Sequence, residues 1–500
     1  GNVFGGGSRT PISITLLVKN PKANNEKATI HYHDIGDYLS REEKLAIVKK
    51  LKSVGNNQMT WKTLQPNEHG DWLKHRNDVF DTFIPMAPEK KFDAKSQSFF
   101  STYAIGVASN RDAWVYNFST LEIEKNMKRT ISFYNEQQAK FKVAKAKNVK
   151  LKVEDFIDAT PTQISWTRSL RKDVEKGLIH KYRKDEIKTG MYRPFFKQRL
   201  YFDKPFIESP GLSPRFFPNE RLENLAIIIS GVSASKSFSV LLSDCVPDLQ
   251  VQFNGQYFPL YHYEEREKAN PGLFDAVGDS EYIRRDGVSD FIWERAKKQY
   301  GKNVSKEDIF YYVYGVLHSP DYRNTFENDL KKMLPRLPLV EDVRDFWKFS
   351  KAGRKLADLH LNYEEVPPYE GVEISGDSEE AFQLNPDLYK VQKMRFPKRD
   401  QKDKIIYNSK IVLNNIPEKA YEYVVNGKSA IEWIMDRYQV KTDKKSGITN
   451  DPNDWAKEHD KPRYILDLLL SIINVSVQTV DIVADLPKME FEEETEENVL

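Results

Sequence analysis

Residues 192–203, YRPFFKQRLYFD, set Arg193, Lys197, Gln198 and Arg199 among aromatic side chains on a segment that reads as a strand. Such cations suit two tasks on a nucleic acid. They grip phosphates, or they read base edges, where arginine addresses guanine and glutamine adenine through paired hydrogen bonds worth about 1–3 kcal/mol of discrimination each. The same residues also fit a core hairpin in which Tyr192, Phe195 and Leu200 pack and the cations are solvated. Three further clusters carry matching chemistry. Arg168, Arg171 and Lys172 fall close together on a short helix within 164–179 and suit phosphate gripping. The small-residue loop Gly231–Lys236 (GVSASK) offers hydroxyls, backbone N–H groups and one ammonium, with Ser235 and Lys236 as its candidates for a phosphate nest. Lys441, Lys444 and Lys445 stand with Asn450 in a polar stretch, 441–455, read as a long loop. The Asp443, Asp451 and Asp454 carboxyls in that stretch fit a domain-docking element instead.

Catalytic signatures are missing. There is no G-x-x-x-x-G-K-[ST] loop to cradle a triphosphate, and GGGSRT at 5–10 lacks the lysine that would reach the phosphates. There is no H-x-E with C-x-x-C, no G-x-S-x-G elbow, no N-P-P-[YF] tetrapeptide and no glycine-rich methyl-donor loop after a first strand. His31 and His33 are the only near neighbours among nine histidines, and two histidines on one strand fit a structural role. No residue is assigned a catalytic or metal-binding role. The single cysteine, Cys245, excludes an internal disulfide and fits a reducing cytoplasm.

Five hundred residues, 39% hydrophobic and 12% aromatic, suffice for two to four domains with sizeable cores. The net charge of +2 conceals segregation, because the acidic end Met489–Asn498 offsets a more basic body. An evenly mixed surface gives the same total. Lys140, Lys142, Lys145, Lys147, Lys150 and Lys152 crowd one short span, either as a solvated face or as a surface that steers a polyanion. The apolar run Tyr464–Val483 is interrupted by Asp467, Asn474, Gln478 and Asp481, which points to a buried amphipathic helix rather than a membrane span. The first ten residues have no signal-peptide layout and read as a chain entered in its middle.

The elements that must position these residues follow from periodicity. Ile12–Lys19 has the continuous apolar pattern of a strand buried on both faces, and Ala28–His33 alternates like a second strand. Arg41–Val54 reads as a helix capped by Ser40. Together these look like the last pieces of a sheet. Helices are predicted over Thr120–Lys147, Arg284–Tyr300, Lys306–Leu334 with a break and restart at Ser319–Pro320, Asp345–His360 and Ser429–Tyr438, with a last one after Pro462. Strands are predicted over Leu225–Ser230, Ser237–Leu242, Tyr257–Tyr263, Tyr389–Phe396 and Lys404–Leu413, and a linker over 364–380. Tyr311, Tyr312 and Tyr314 fall at core spacing.

Several segments in order, ISWTRSLRKDVEKG, YRPFFKQRLYFDK, IIISGVSASKSFSVLLSDCVPDL, QYFPLYHY, the 311–338 helices and IEWIMDRYQVKTDKKSGITNDPNDW, resemble the C-terminal specificity region of type ISP restriction-modification enzymes. These single chains join nuclease, helicase-like, adenine-methyltransferase and target-recognition parts. Gly1–Lys19 resembles the late strand motif of γ-class adenine-N6 methyltransferases, in which Phe4 matches the aromatic that stacks on a flipped target base. The resemblance implies a mixed α+β fold. Residues 1–90 would be a methyltransferase remnant, 91–270 a β-rich target-recognition subdomain and 271–362 a helical support. Residues 363–488 would form a C-terminal α/β part and 489–500 an acidic disordered tail. It implies double-stranded DNA as partner, together with the upstream domains of a longer chain and no membrane. No cofactor is expected in this chain. S-adenosylmethionine, ATP and Mg2+ are implied for the whole enzyme. The rival expectation is a scaffold or protein-interaction module that does not bind DNA.

Overall fold

The computed structural model describes residues 13–22, 28–36, 39–73, 76–232, 234–266 and 281–491. Phe4, Ser233 and residues 492–500 lie outside them. The chain divides into two compact units, Gly1–Arg76 and Asn77–Leu500.

In the first unit β1 (Ile30–Tyr32) pairs antiparallel with β2 (Lys62–Leu64), Ile30 facing Leu64. Helix α1 (Arg41–Leu51) lies between them in sequence. Ser40 Oγ accepts from Glu43 N at 3.2 Å and the Glu43 carboxylate accepts from Ser40 N at 2.7 Å, a reciprocal cap that fixes the helix start. His33 Nδ1 hydrogen-bonds Thr60 O at 2.9 Å, in keeping with a structural role. The strand expected at Ile12–Lys19 is not formed: residues 13–20 have no regular structure, and Ile14, Leu16, Leu17 and Val18 are exposed. A strand buried on both faces needs flanking strands and covering layers, and among the described residues this unit has only the β1–β2 ladder.

The second unit is mixed α+β, with helices and several small sheets. Its first half contains β3 (Ala104–Ile105), β4 (Tyr116–Asn117), α2 (Thr120–Lys147), α3 (Arg168–Glu175), β5 (Ile187–Arg193), β6 (Phe196–Tyr201), β7 (Ala226–Ile229), β8 (Val240–Ser243), β9 (Val246–Pro247) and β10 (Gln256–Pro259). Two four-stranded sheets result, in the orders β9-β5-β6-β4 and β3-β10-β7-β8. Helix α2 buries Ile123, Met127, Ile131 and Tyr134, a stripe at three- and four-residue steps. Residues 192–203 form no single strand. Arg193 ends β5 and Phe196 opens β6, around a turn in which Phe195 takes a φ of +55°. A bulky residue is strained there. Phe195 is held by burial, edge-on to Tyr363 at 5.3 Å between ring centres.

The second half opens with β11 (Tyr261–Glu265) paired to β12 (Tyr282–Asp286), followed by α4 (Asp290–Tyr300), α5 (Lys306–Val316) and α6 (Val343–Leu361). The helix expected from Arg284 therefore begins only at Asp290, behind the Ser289 cap. Residues 284–286 belong instead to β12, paired with β11, and Gly287 after them packs so closely that a Cβ there would lie 1.9 Å from Pro259 O. Tyr311, Tyr312 and Tyr314 are buried, as their spacing predicts. Tyr312 Oη donates to Pro338 O at 2.8 Å, and Tyr314 Oη bonds His360 Nδ1 at 2.6 Å. The run to Leu334 breaks at Ser319 as the sequence predicts, Ser319 capping a new helix with Pro320 at its first position.

Beyond 363, residues 389–396 form no strand, only a single bridge between Arg395 and Ile406. Residues 404–413 give two short strands, Ile405–Ile406 and Val412–Asn414, because Asn408 Oδ1 accepts from Lys410 N and Ile411 N and closes a turn. The expected linker contains a further strand, Glu373–Ser375, paired with 412–414. Then come α7 (Ala430–Arg437), the hairpin β13 (Lys441–Thr442) with β14 (Thr449–Asn450), α8 (Pro452–Glu458) and α9 (Tyr464–Ala484). The stretch 441–455 is thus a hairpin and a helix rather than a loop. Asp443 Oδ1 shapes its tip by accepting from Ser446 N at 2.8 Å and Ser446 Oγ at 2.7 Å. Helix α9 is long and apolar enough to cross a membrane, but Ile465, Leu469, Ile472, Ile473 and Val475 are buried within the protein. Asp467 is paired with Arg463 at 2.7 Å.

Candidate nucleic-acid interface

The β5–β6 hairpin decides what its cations can reach. The alternation of β6 turns Phe196, Gln198 and Leu200 inward and leaves Lys197 and Arg199 half-buried on the other face. Those cations are not solvated. Arg193 lies over the Tyr192 ring, 3.9 Å from its centre, with Nη1 2.8 Å from Asp248 Oδ1. Burial pushes the Asp248 carboxyl up to about 7, against the lowering effect of Arg193. Lys197 Nζ sits 3.1 Å from Asp244 Oδ1, and 5.6 Å from the centre of the Tyr363 ring. Arg199 Nη1 donates to Thr189 Oγ1 at 2.9 Å and Nη2 to Ile187 O at 3.3 Å, with Glu220 at 3.4 Å.

Gln198 is 4% exposed, and neither its amide oxygen nor its amide nitrogen has a hydrogen-bond partner among the described residues. It lines a recess of about 200 Å³. Tyr116, Phe118, Tyr192 and Phe196 supply aromatic walls, Asp112 and Arg437 charged ones, and Lys441 also lines it. Local bonds fix these walls. Tyr192 Oη donates to Asp112 Oδ2 at 2.9 Å. Asn117 Nδ2 donates to Thr449 O at 3.2 Å and Phe118 N to Asn450 Oδ1 at 3.0 Å, which docks the β13–β14 hairpin beside β4. Gln198 and Lys441, nearly 250 residues apart in sequence, thereby line one cavity. Nothing local in the sequence marks Asp112, Tyr116, Phe118 and Arg437, which also line the recess. The turn signal for the hairpin was present in Asp443, Ser446 and Gly447, the last at φ +72°.

The remaining candidates are more open. Lys441, Lys444 and Lys445 are exposed on the hairpin. Arg168 and Lys172 are exposed on α3 and Arg171 is half-buried; none of the three lines the recess. Helix α3 is anchored just before its start, where Arg111 Nη2 donates to Thr167 Oγ1 at 2.5 Å, and Ser169 Oγ bonds Glu208. Ser235 and Lys236 are exposed. The Lys236 stem covers Gly427, where a Cβ would meet its Cδ at 2.8 Å, and Asn426 N donates to Ser239 Oγ at 3.0 Å. This loop is therefore tied to the turn that precedes α7, and α7 supplies Asp436 and Arg437 to the recess.

A family model described as the type ISP C-terminal specificity domain matches residues 98–468. Among solved structures, the chain is similar to a nuclease-deletion mutant of the type ISP restriction-modification enzyme LlaGI in complex with a DNA substrate mimic. Identity is 38% over 94% of this chain and 40% of that one, with a TM-score of 0.76. It is similar to the ATP-dependent type ISP restriction-modification enzyme LlaBIII bound to DNA, at 38% identity over 93% of this chain and 28% of that one, with a TM-score of 0.79. A DrdV–DNA complex matches at 27% identity over 93% of this chain and 44% of that one, with a TM-score of 0.74. The chain spans less than half the length of these relatives. No curated protein matches it.

Proposed function

The chain belongs to the type ISP C-terminal specificity domain family, and on that premise we propose that it binds double-stranded DNA at a short specific sequence. In this reading it is the target-recognition part of a longer restriction-modification enzyme. The observation that carries the proposal is the likeness over nearly the whole chain to two type ISP enzymes, each in a DNA complex.

The exposed cations divide the work. Arg168, Lys172, Lys236, Lys441, Lys444 and Lys445 grip phosphates, with Ser235 adding a hydroxyl and Arg171 supporting its helix. Arg193, Lys197 and Arg199, each partnered by an acid within the protein, shape the hairpin and reach DNA only by exchanging those partners. Residues 1–90 act as the end of a methyltransferase-like domain, where Phe4 stacks on the flipped base. Residues 91–270 form the recognition subdomain proper, supported by 271–362 and 363–488. Adenine methylation, ATP-driven motor action and cleavage belong to the longer enzyme. The sequence has no phosphate loop and no N-P-P-[YF] segment, so no residue of this chain is assigned to S-adenosylmethionine, ATP or Mg2+. The upstream domains are the protein partners, and the cytoplasm is the compartment.

Selection of duplexes from a random pool by the 500-residue chain tests the proposal. Enrichment of one motif is the expected result. Uniform recovery of all sequences would favour the scaffold reading, to which the internally paired cations of the β5–β6 hairpin lend support.

A further inference from the structure

Residues 140–152 carry six lysines and no Asp or Glu. A run of like charges is a solvated face unless the fold holds it in place. Here the fold does so. Residues 140–147 form the last two turns of α2, and the chain beyond turns back onto them. Lys145 Nζ donates to Leu151 O at 2.5 Å, Leu151 N donates to Asn148 O at 3.0 Å, and Val153 is fully buried. Lys140 is paired with Glu136 at 2.5 Å. Lys142, Lys147, Lys150 and Lys152 are exposed and have no acid partner among the described residues. The partial negative charge at the helix C-terminus accounts for lysines in its last turn, Lys145 and Lys147. It does not account for Lys142 before that turn or for Lys150 and Lys152 after it.

The other end of α2 is docked beside the β13–β14 hairpin. Phe118 N donates to Asn450 Oδ1 and Thr120 N to the Glu458 carboxylate, both at 3.0 Å. The hairpin carries the exposed Lys441, Lys444 and Lys445. The helix has 28 residues, so at a rise of 1.5 Å per residue it sets the two lysine groups about 42 Å apart. A duplex rises about 3.4 Å per base pair, so that span covers at most about 12 base pairs. We propose that the lysines at the end of α2 hold the backbone of duplex DNA flanking the recognised sequence, up to about 12 base pairs from the hairpin contact. The contact is with phosphates only. The span has no arginine or glutamine, and its one amide, Asn148, already accepts from Lys150 N through Oδ1 at 3.1 Å. It therefore adds affinity without adding to the sequence that is read. This inference rests on the DNA-binding reading and extends the surface that serves it.

The test uses the full chain and duplexes that share the selected motif, with flanks of about 4, 12 and 20 base pairs on each side. Should selection return no motif, one arbitrary sequence serves as the centre. Dissociation constants are read by anisotropy over a salt series. The parent is expected to bind the 12-pair flanks about tenfold more tightly than the 4-pair flanks, to gain little more at 20, and to show a log–log salt slope steeper by about 2–3 on the longer duplexes. Lys142→Gln, Lys147→Gln, Lys150→Gln and Lys152→Gln combined should bind the short duplex as the parent does and lose the gain with length, at an unchanged melting temperature. The four Lys→Arg changes combined should keep the gain. Length dependence that runs parallel in the parent and the Gln variant overturns the inference and leaves the DNA reading standing. So does an equal loss on short and long duplexes. A length gain that the Gln variant abolishes, without preference for any motif, supports the inference while target recognition falls. Failure of the parent to bind any duplex sinks both.

Discussion

Arg193 Nη1 lies 2.8 Å from Asp248 Oδ1, and Asp248 is only 4% exposed. The pair ties the end of β5 to the residue after β9, the parallel neighbour at the sheet edge. A cation that the sequence offers to DNA is thus a fixture of the fold.

Removing one member of a buried pair strands the other. Arg193→Ala is expected to lower stability by about 3–5 kcal/mol at pH 8, read as the shift in urea midpoint. The penalty should shrink at pH 5. The folded Asp248 carboxyl titrates near 7, above its ordinary value of 3.8, so below about pH 7 it takes a proton and no longer needs the guanidinium. A loss that is equal at both pH values would contradict this.

The crossing of α5 and α6 depends on two glycines. A Cβ at Gly353 would stand 1.9 Å from Tyr311 O, and one at Gly315 2.3 Å from Phe349 O. Both clashes are with backbone, which cannot rotate aside. Gly353→Ala is expected to destabilise by about 1–3 kcal/mol or more, whereas Gly55→Ala, whose nearest neighbour is Ser53 Oγ at 3.6 Å, should cost far less. Thermal melts of the two variants check this.

How far the fold was legible depended on whether its causes are local. Helix α2 carries its whole signal within itself, an N-cap at Ser119 and a stripe from Ile123 to Phe141, and its predicted bounds match. The β13–β14 hairpin looks like a loop in sequence because its strands are two residues long and are pinned by Asn117 and Phe118, more than 300 residues earlier. The same non-locality hid the recess, whose walls come from three separate stretches of chain, 112–118, 192–198 and 436–450. It also hid the partners of Lys197 and Arg199, since Asp244 and Glu220 lie on other segments. Ile12–Lys19 shows the converse: an apolar run specifies a buried strand only where strands flank it.

His360 and His318 are fully enclosed, and burial holds both in the neutral form, His360 down to about 3. Their folded values lie below the unfolded one. Stability is therefore complete above about pH 6.5 and falls as pH drops, by up to about 1.4 kcal/mol per pH unit for each histidine. His360→Gln keeps a group able to bond Tyr314 and Thr479, the present partners at 2.6 and 3.0 Å. Its urea midpoints between pH 6 and pH 4 are expected to fall less steeply than those of the parent. Parallel curves would refute the assignment.

The exposed lysines of the β13–β14 hairpin should act on binding alone. Lys441→Ala, Lys444→Ala and Lys445→Ala combined are expected to leave the melting temperature within about 1–2 °C, since surface substitutions outside packed or paired positions stay within about 0.5 kcal/mol. Duplex affinity should fall, and the log–log salt slope should flatten by about 0.9 for each phosphate that is no longer neutralised. An unchanged slope would remove the hairpin from the interface.

Salt-dependent duplex binding by the 500-residue chain is the most direct test of the whole account. The dissociation constant for a selected motif and for a scrambled duplex would be measured from 50 to 300 mM salt. The expected result is tighter binding to the motif at every salt concentration, with both affinities weakening steeply along a log–log slope of several units. Equal affinity for the two duplexes, or binding that hardly responds to salt, would contradict target recognition.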